Sequence, residues 1–592
     1  MARTYSETVP DPAEILAQRL KEAMVAALGS ALERADPVLR RSDQRRFGDF
    51  QANAAMGLGK QLGRPPRQVA EAIVNQLDVG GVCSNVEVAG PGFINLTLDD
   101  DFLARVVTEA ATDARLGVPT VTEAHTYVVD YAGPNVAKEM HVGHLRSSAI
   151  GDALARILGW LGHRVVRQDH LGDWGTQFGM LIEHLIDIGW DSGGRSSIGD
   201  LNELYRQAQS KFEGDAGFAE RARRRVVLLQ SGDFETVRLW EALVEESRNH
   251  FRRVYQRLGL TIGDGDVRPE SFYNDMLDGM VEELDRKGIL REDQGALCAF
   301  PAGFQRRDGA PLPLIVRKSD GGYGYAATDL AGVKYSVTEL AGDRLVYVVD
   351  ARQSQHFAMV FAVSTMAGWL GEGREAEHVA FGNILGRDGK PFRTRAGDTV
   401  KLAELLDEAV DRAAQVVESK SPDLPEAEKA RVAEAVGVGA IKYNDLSNDR
   451  VKDYVFDWDR MLSIDGNTAP YLQYAHARIR SIFRRGDVAV PGENGAPVPA
   501  VRLGEPAERA LALRLTGFGE ATSASAAALQ PHRLCGYLFD LAASFTDFYE
   551  SCPVLRADST DARDSRLTLC ALTASTLRLG LGLLGIDAPD RM

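Results

Sequence analysis

Two histidines three positions apart carry the chemistry of this sequence. His141 and His144 enclose Val142 and Gly143 and follow directly on Pro134-Asn135-Val136-Ala137-Lys138-Glu139-Met140. Upstream, TYVVDYAG from Thr126 reads as a buried strand; downstream, the apolar periodicity of a long helix runs from about His144 to Leu161. A strand, a loop and a helix in that order leave free backbone N–H groups and the positive end of a helix dipole at the loop, where phosphate is favoured. Both imidazoles can donate to phosphoryl oxygens, Lys138 adds a cation where a triphosphate would sit, and Gly143 lets a purine or ribose lie close against the backbone. Preplaced donors of this kind stabilise the charge on a phosphoryl group in transfer. The competing reading of the histidines is that they cap the helix.

The elements that must hold this loop follow from the rest of the chain. Residues 11 to 118 read as a small α/β unit, with amphipathic helices near 13 to 29 and 66 to 77 and two strands in VEVAGPGFINLTL divided at Gly90-Pro91-Gly92. The strand at Thr126 opens a nucleotide-binding half. From about 185 to 300 the sequence turns charged and helical, as in ELYRQAQSKFEGDAGFAERARRR, which reads as an insertion before sheet segments return at LPLIVRKSD and DRLVYVVDAR. Beyond the loop GRDGKPFRTRAGDTVK, the chain from about 401 reads as helix after helix, broken only by VPGENGAPVPAV. No repeat of fixed period is present.

Composition sets the outer limits. At 592 residues the chain calls for about three or four domains, and 44% hydrophobic with 26% charged residues is a globular composition. The net charge of −16 argues against indiscriminate nucleic-acid binding, DNA included. It leaves room for a local basic surface such as the helical run from His476 to Arg485, which taken alone reads first as a solvated helix face. Neither a leader with an apolar h-region nor a stretch of about 18 uncharged apolar residues is found, so the expectation is a cytoplasmic protein without a membrane partner. Cys83, Cys298, Cys535, Cys552 and Cys570 are far apart and never form CxxC, a pattern of neither a disulfide framework nor a structural zinc site.

HVGH resembles the HIGH signature of class I aminoacyl-tRNA synthetases, and DYAGPNVAKEMHVGHLRSSAIGDALARIL resembles the arginyl-tRNA synthetases in particular. The resemblance extends along most of the chain, through GDFQANAAMGLGKQLG, GPGFINL, LGDWGTQFGMLI, GYAATDLAGVKY, VYVVDARQSQHF, YNDLSNDRVKDYVFDWDRMLSIDGNTAPYLQYAHARIRS and LLGIDAPDRM. It implies an N-terminal add-on domain over 1–120 that contacts the tRNA elbow, an α/β Rossmann catalytic domain over 121–400 with a helical insertion near 185–300, and an all-α anticodon-binding bundle over 401–592. It further implies ATP as substrate with Mg²⁺, L-arginine and tRNA(Arg) as partners, a monomer, and a first step that itself requires bound tRNA.

By the same resemblance, Asp130, Asn135, Tyr325, Asp329 and Gln353 match positions that hold arginine, with the two carboxylates facing guanidinium and Asn135 nearer the amino-acid backbone. A cationic side chain needs such partners, because an unpaired charge is costly to desolvate. Asp130 and Asp329 could instead be ordinary caps.

The second signature, KMSK, is absent in its usual form. The matching loop, from Gly386 to Arg395, offers Lys390, Arg393 and Arg395 as mobile helpers on ATP, while Lys138 takes over part of the missing lysine's work; its plain alternative is an exposed basic hairpin. Ala132-Gly133 stands where the family more often has serines, a loss worth roughly 0.5–1.5 kcal/mol if a neutral hydrogen bond is missing. Tyr471 and Tyr474 are candidates for stacking anticodon bases, Arg478 and Arg480 for nearby phosphates, and Met592 for lining that site; the tyrosines read equally as bundle core. Two other functions share the signature. A nucleotidyltransferase of the same superfamily would need neither the length nor the helical C-terminal part, and a silent paralogue would not need an intact HVGH, Lys138 and acidic pocket.

Overall fold

The computed structural model describes residues 9–42, 44–175, 177–190, 201–393 and 399–592. At its centre lies a four-stranded parallel sheet in which Thr126–Asp130 sits between Arg164–Gln168 and Arg344–Tyr347, with Glu375–His378 at the far edge. The chain leaves Thr126–Asp130 through the helix Val142–Trp160, adds Arg164–Gln168 on one side, and later returns to the opposite side with Arg344–Tyr347. That reversal opens a crevice at the carboxyl ends of the two adjacent strands, where open α/β sheets bind ligands. Asp130 and Tyr347 stand side by side on its floor.

Apolar residues dominate the central strands because both faces are covered. On one face packs the helix Val142–Trp160, buried along nearly its whole length. On the other, the helices Asn274–Arg286, Tyr325–Thr338 and Ser354–Met366 close a second core around Leu330, Val333, Val360 and Val363.

Between the two halves of the sheet come the helices Gln177–Asp187, Leu201–Gly214, Ala216–Gln230 and Phe234–Leu258, as the charged helical segment implied. One sheet expectation is corrected. LPLIVRKSD does not return to the parallel sheet, because Leu314–Arg317 pairs antiparallel with Ala296–Ala299 in a separate three-stranded sheet. Its alternating burial is that of a sheet covered on one face, whereas Arg344–Tyr347 is buried at three successive positions.

The N-terminal part is a four-stranded antiparallel sheet flanked by helices, with Cys83–Ala89 and Phe93–Leu98 forming the expected hairpin. The two short strands Leu39–Arg41 and Phe50–Ala52 complete it and were not legible as strands. This unit docks on the C-terminal helices. Arg509 forks onto both carboxylate oxygens of Asp49 at 2.8 Å and reaches Asp100 at 2.6 Å, and Arg41 meets Glu520 at 2.7 Å. One continuous apolar core runs from the N-terminal helices through Val142–Trp160 into the C-terminal bundle. Among the described residues, no helix is long and apolar enough to cross a membrane.

Candidate functional site

The structure shows the histidines capping their helix. His141 is the N-cap of Val142–Trp160, its Nδ1 accepting the N–H of Gly143 at 3.0 Å, while Nδ1 of His144 accepts the N–H of His141 at 3.0 Å. The two rings lie 4.0 Å apart. Burial, then His141 and Lys138, pull the pKa of His144 down to about 3; burial, Lys138 and Arg352 lower that of His141. Neutral rings whose Nδ1 atoms accept must carry their protons on Nε2. Capping therefore sets the tautomer that leaves each ring an Nε2–H donor at the positive end of the helix.

Gly143 packs against a histidine ring. A Cβ there would stand 2.7 Å from Cε1 of His141, so the space it leaves is filled by the folded-back His141 ring itself.

The loop from Tyr131 to Met140 is held in an uncommon shape. Ala132, Gly133 and Ala137 all take left-handed backbone angles (φ 74°, 51° and 62°), which for each alanine costs roughly 1–2 kcal/mol. The surroundings enforce it. The hydroxyl of Ser147, on the signature helix, accepts the N–H of Ala132 at 2.9 Å and donates to the carbonyl of Val348 at 2.7 Å; Asp169 accepts the N–H of Gly133 at 3.0 Å; Ser247 accepts that of Ala137 at 3.0 Å. Asn135 lies against Gly172 so closely that a Cβ at Gly172 would fall 2.2 Å from its Oδ1. Lys138 is exposed beside the histidines, its ammonium 4.4 Å from the centre of the Tyr205 ring.

The facing wall is acidic. Buried Asp130 closes its strand with Oδ2 3.9 Å from Nδ1 of His170, and burial, reinforced by Asp169 and Asp329, raises its pKa well above the usual carboxylate range. Asp169 is pushed up to about 7, mainly by burial and despite a 2.9 Å hydrogen bond from the hydroxyl of Tyr255. Glu270 is pushed up to about 8 by burial and by Asp173 and Asp329. Asp329, in the first turns of Tyr325–Thr338, holds Nε2 of His356 at 2.5 Å.

Asp130 and Asp329 are thus electrostatic neighbours. Tyr325 stands 72% exposed at the start of the Asp329 helix, and Gln353 is the N-cap of the helix carrying His356. Sequence reasoning missed Asp169, His170, Glu270 and His356. The first two adjoin LGDWG, and His356 lies inside VYVVDARQSQHF; only Glu270 had no motif around it.

The basic loop is anchored at both ends. Its entry strand Ile384–Leu385 pairs with Tyr454–Val455, while its exit returns to the signature: Val142 donates to the carbonyl of Val400 at 3.0 Å, Leu402 to that of Met140 at 2.9 Å, and Lys401 meets Glu139 at 2.7 Å. Arg387 is paired with Asp457 and Asp459, each at 3.0 Å. Lys390 is exposed and Arg393 faces Thr399 across the loop; Arg395 lies outside the described residues.

In the C-terminal bundle, Tyr474 is exposed on the helix Ala469–Gly486 and Tyr471 is half-buried against Phe539, 5.6 Å between ring centres. The basic run is a solvated face only at Arg484 and Arg485. His476 is buried, Arg478 lies over the Tyr549 ring, and Arg480 is engaged with Glu493 at 2.7 Å and Asp590 at 3.3 Å. Met592 packs on the small core of Val417, Val432 and Val436.

Comparison with known proteins agrees with this layout. Residues 13–98 match the model of the arginyl tRNA synthetase N-terminal domain, 106–458 that of the class I (R) tRNA synthetase catalytic domain, and 472–592 that of the DALR anticodon binding domain. An arginine–tRNA ligase of Thermobifida fusca is 55% identical over 98% of this chain and 100% of its own, and one of Escherichia coli is 48% identical over 98% and 99%. Among solved structures, the arginyl-tRNA synthetase of Plasmodium falciparum covers 99% of this chain and 100% of its own with a TM-score of 0.83 at 27% identity. That of Thermus thermophilus covers 98% and 100% with a TM-score of 0.80 at 28% identity.

Proposed function

The chain belongs to the arginyl-tRNA synthetases, ligases that form aminoacyl-tRNA, and from that premise we propose how its residues divide the work. ATP lies along the signature wall, with Nε2–H of His141 and His144 donating to its phosphates and Lys138 beside them; Lys390, Arg393 and Arg395 approach from the loop. Arginine places its guanidinium between Asp130 and Asp329, with Tyr325 and Gln353 at the rim and Asn135 near its carboxylate. That carboxylate attacks the α-phosphorus, an acyl–phosphate bond forms as the bond to pyrophosphate breaks, and the terminal ribose 2′-hydroxyl of tRNA then takes the acyl group and releases AMP. No side chain forms a covalent bond, so the rate comes from positioning and charge.

Mg²⁺ bound to ATP would supply neutralising charge on the triphosphate. The signature wall offers N–H donors and a cation in place of a carboxylate cage, which fits a metal carried in on ATP. Tyr474 and Tyr471 are assigned to the anticodon, with Arg478 and Met592 beside them; Arg480, already ion-paired, sets the geometry of the terminal tail. One chain holds every part, so a monomer suffices.

The observation that carries this reading is the cluster of buried carboxyl groups around Asp130 and Asp329, at the carboxyl end of the strand that leads into the two capped histidines. Its test is arginine-dependent charging of tRNA(Arg) with ATP and Mg²⁺, run beside lysine, canavanine and citrulline. Neutral citrulline is expected to be rejected by about two orders of magnitude or more, the cost of leaving buried charges unpaired; comparable charging would remove Asp130 and Asp329 from the pocket. A Lys138→Ala enzyme that activates arginine at the parental rate would remove Lys138 from the triphosphate. Tyr474→Ala is expected to raise KM for tRNA about tenfold with KM for arginine unchanged.

A further inference from the structure

Two residues beyond His144, the signature helix carries a charge that never reaches the crevice. Arg146 is buried to 1%, and its partner Asp445, on the helix Glu426–Leu446, is buried completely. Nε of Arg146 donates to Oδ1 of Asp445 at 3.1 Å and Nη1 to the carbonyl of Lys452 at 3.1 Å, while Oδ2 of Asp445 accepts the hydroxyl of Tyr454 at 3.2 Å. Phe381 and Tyr454 cover the guanidinium, and its Nη2 has no hydrogen-bond partner among the described residues.

Such a pair is a poor adhesive. Desolvating two ions offsets most of their attraction, and apolar side chains of similar size hold helices as well or better. What an ion pair does impose is one register between two helices, because the N–H···O geometry tolerates little sliding. The spare Nη2–H marks this register as improvable, since a small shift of either helix could supply its missing acceptor.

The pair sits where two routes cross. Toward the bundle, Glu426–Leu446 is tied to the helix of Tyr471 and Tyr474 by Gln473, whose Nε2 donates to the carbonyl of Ala435 at 2.9 Å. Toward the crevice, Tyr454 belongs to the strand that pairs with Ile384–Leu385, where the basic loop starts, and the loop's far end is hydrogen-bonded to Met140 and Val142. We propose that Arg146 is a positioning residue whose ion pair with Asp445 transmits engagement of the anticodon by the bundle to the ATP-side histidines and the basic loop.

This rests on the assignment of the anticodon to the bundle. The experiment measures kcat and KM for tRNA with a tRNA(Arg) transcript and with the same transcript carrying a replaced anticodon, in the parental enzyme and in R146M/D445L, which removes both charges and keeps the volume. Thermal melts establish that each enzyme is folded. In the parental enzyme the anticodon change should raise KM and lower kcat about tenfold, a typical coupling. In the double variant KM should still rise, while the two kcat values come within about twofold of each other. Should the double variant not fold, Asp445→Asn, which keeps the shape and the hydrogen bond, is expected to narrow the kcat ratio in the same direction.

A kcat ratio unmoved by the variants overturns the proposal and leaves the pair as packing, with the anticodon assignment intact. A parental enzyme whose KM responds and whose kcat does not overturns it equally. No response in either constant would instead sink the anticodon assignment, and this proposal with it.

Discussion

The two walls of the crevice are built in opposite ways. The ATP-side wall is nearly contiguous: Lys138, His141, Gly143 and His144 fall within seven residues, and local hydrogen bonds at one helix end set the histidine tautomers. The arginine-side wall gathers Asp130, Asp169, Glu270 and Asp329 from four places spread over 200 residues. Its acidity is a property of no segment; it arises because burial and mutual repulsion raise several carboxyl groups together. A wall made locally can be read from a motif, whereas one made by assembly must be read from distances and pKa values.

The comparison breaks most visibly at His144. His144→Ala removes a preorganised donor together with half of the reciprocal cap, and kcat for arginine-dependent pyrophosphate exchange is expected to fall 100- to 1,000-fold. Retention of kcat would mean that the histidines only cap.

On the opposite wall, Asp329→Asn removes a charge that faces the cation and frees His356. A charged hydrogen bond lost there is expected to lower kcat/KM for arginine roughly 10- to 100-fold with KM for ATP little changed. Equal effects on both substrates would show that the walls are not separable.

Gly143→Ala forces the His141 ring to move, since the new Cβ overlaps it. About a tenfold loss of kcat with a melting temperature close to parental is expected. An unchanged kcat would place the working atoms of His141 elsewhere.

The smallest effect is titration of the acidic wall. Asp169 and Glu270, with pKa values raised to about 7 and about 8, keep protons in the folded free enzyme at a pH where the unfolded chain has lost them. Their contribution to stability is therefore complete below the unfolded range near pH 4 and is lost as pH rises through 7 to 8. Bound arginine draws these groups back toward ionisation, so at pH 7 its binding should release part of a proton and its affinity should rise several-fold between pH 6 and 8. Calorimetry in buffers of different ionisation enthalpy reads this directly, and a binding enthalpy independent of buffer would refute it.

Much of this molecule was legible beforehand, for identifiable reasons. The strand at Thr126 and the helix after His141 stood out because both are buried along most of their length, so most of their positions are apolar or small. Leu39–Arg41 and Phe50–Ala52 did not, because three residues are too few to show a period. LPLIVRKSD looked like a core strand and proved to belong to a second sheet, since strand residues do not announce which neighbours they pair with. The run from His476 to Arg485 looked solvated by composition. Within it, His476, Arg480 and Arg478 are engaged with Asp590, Glu493 and Tyr549, partners up to 114 residues away.

The sequence by itself determined the class of chemistry, the family and the signature residues proposed to meet ATP, because a helix start, its caps and its donors interact over a few positions and must be written together. Only the tertiary structure decided that Gly143 makes room for a histidine, that Asp169 and Glu270 join the arginine wall, and that Arg146 meets Asp445 inside the protein. These depend on which surfaces lose water together, and desolvation is settled by the whole fold rather than by any stretch of it.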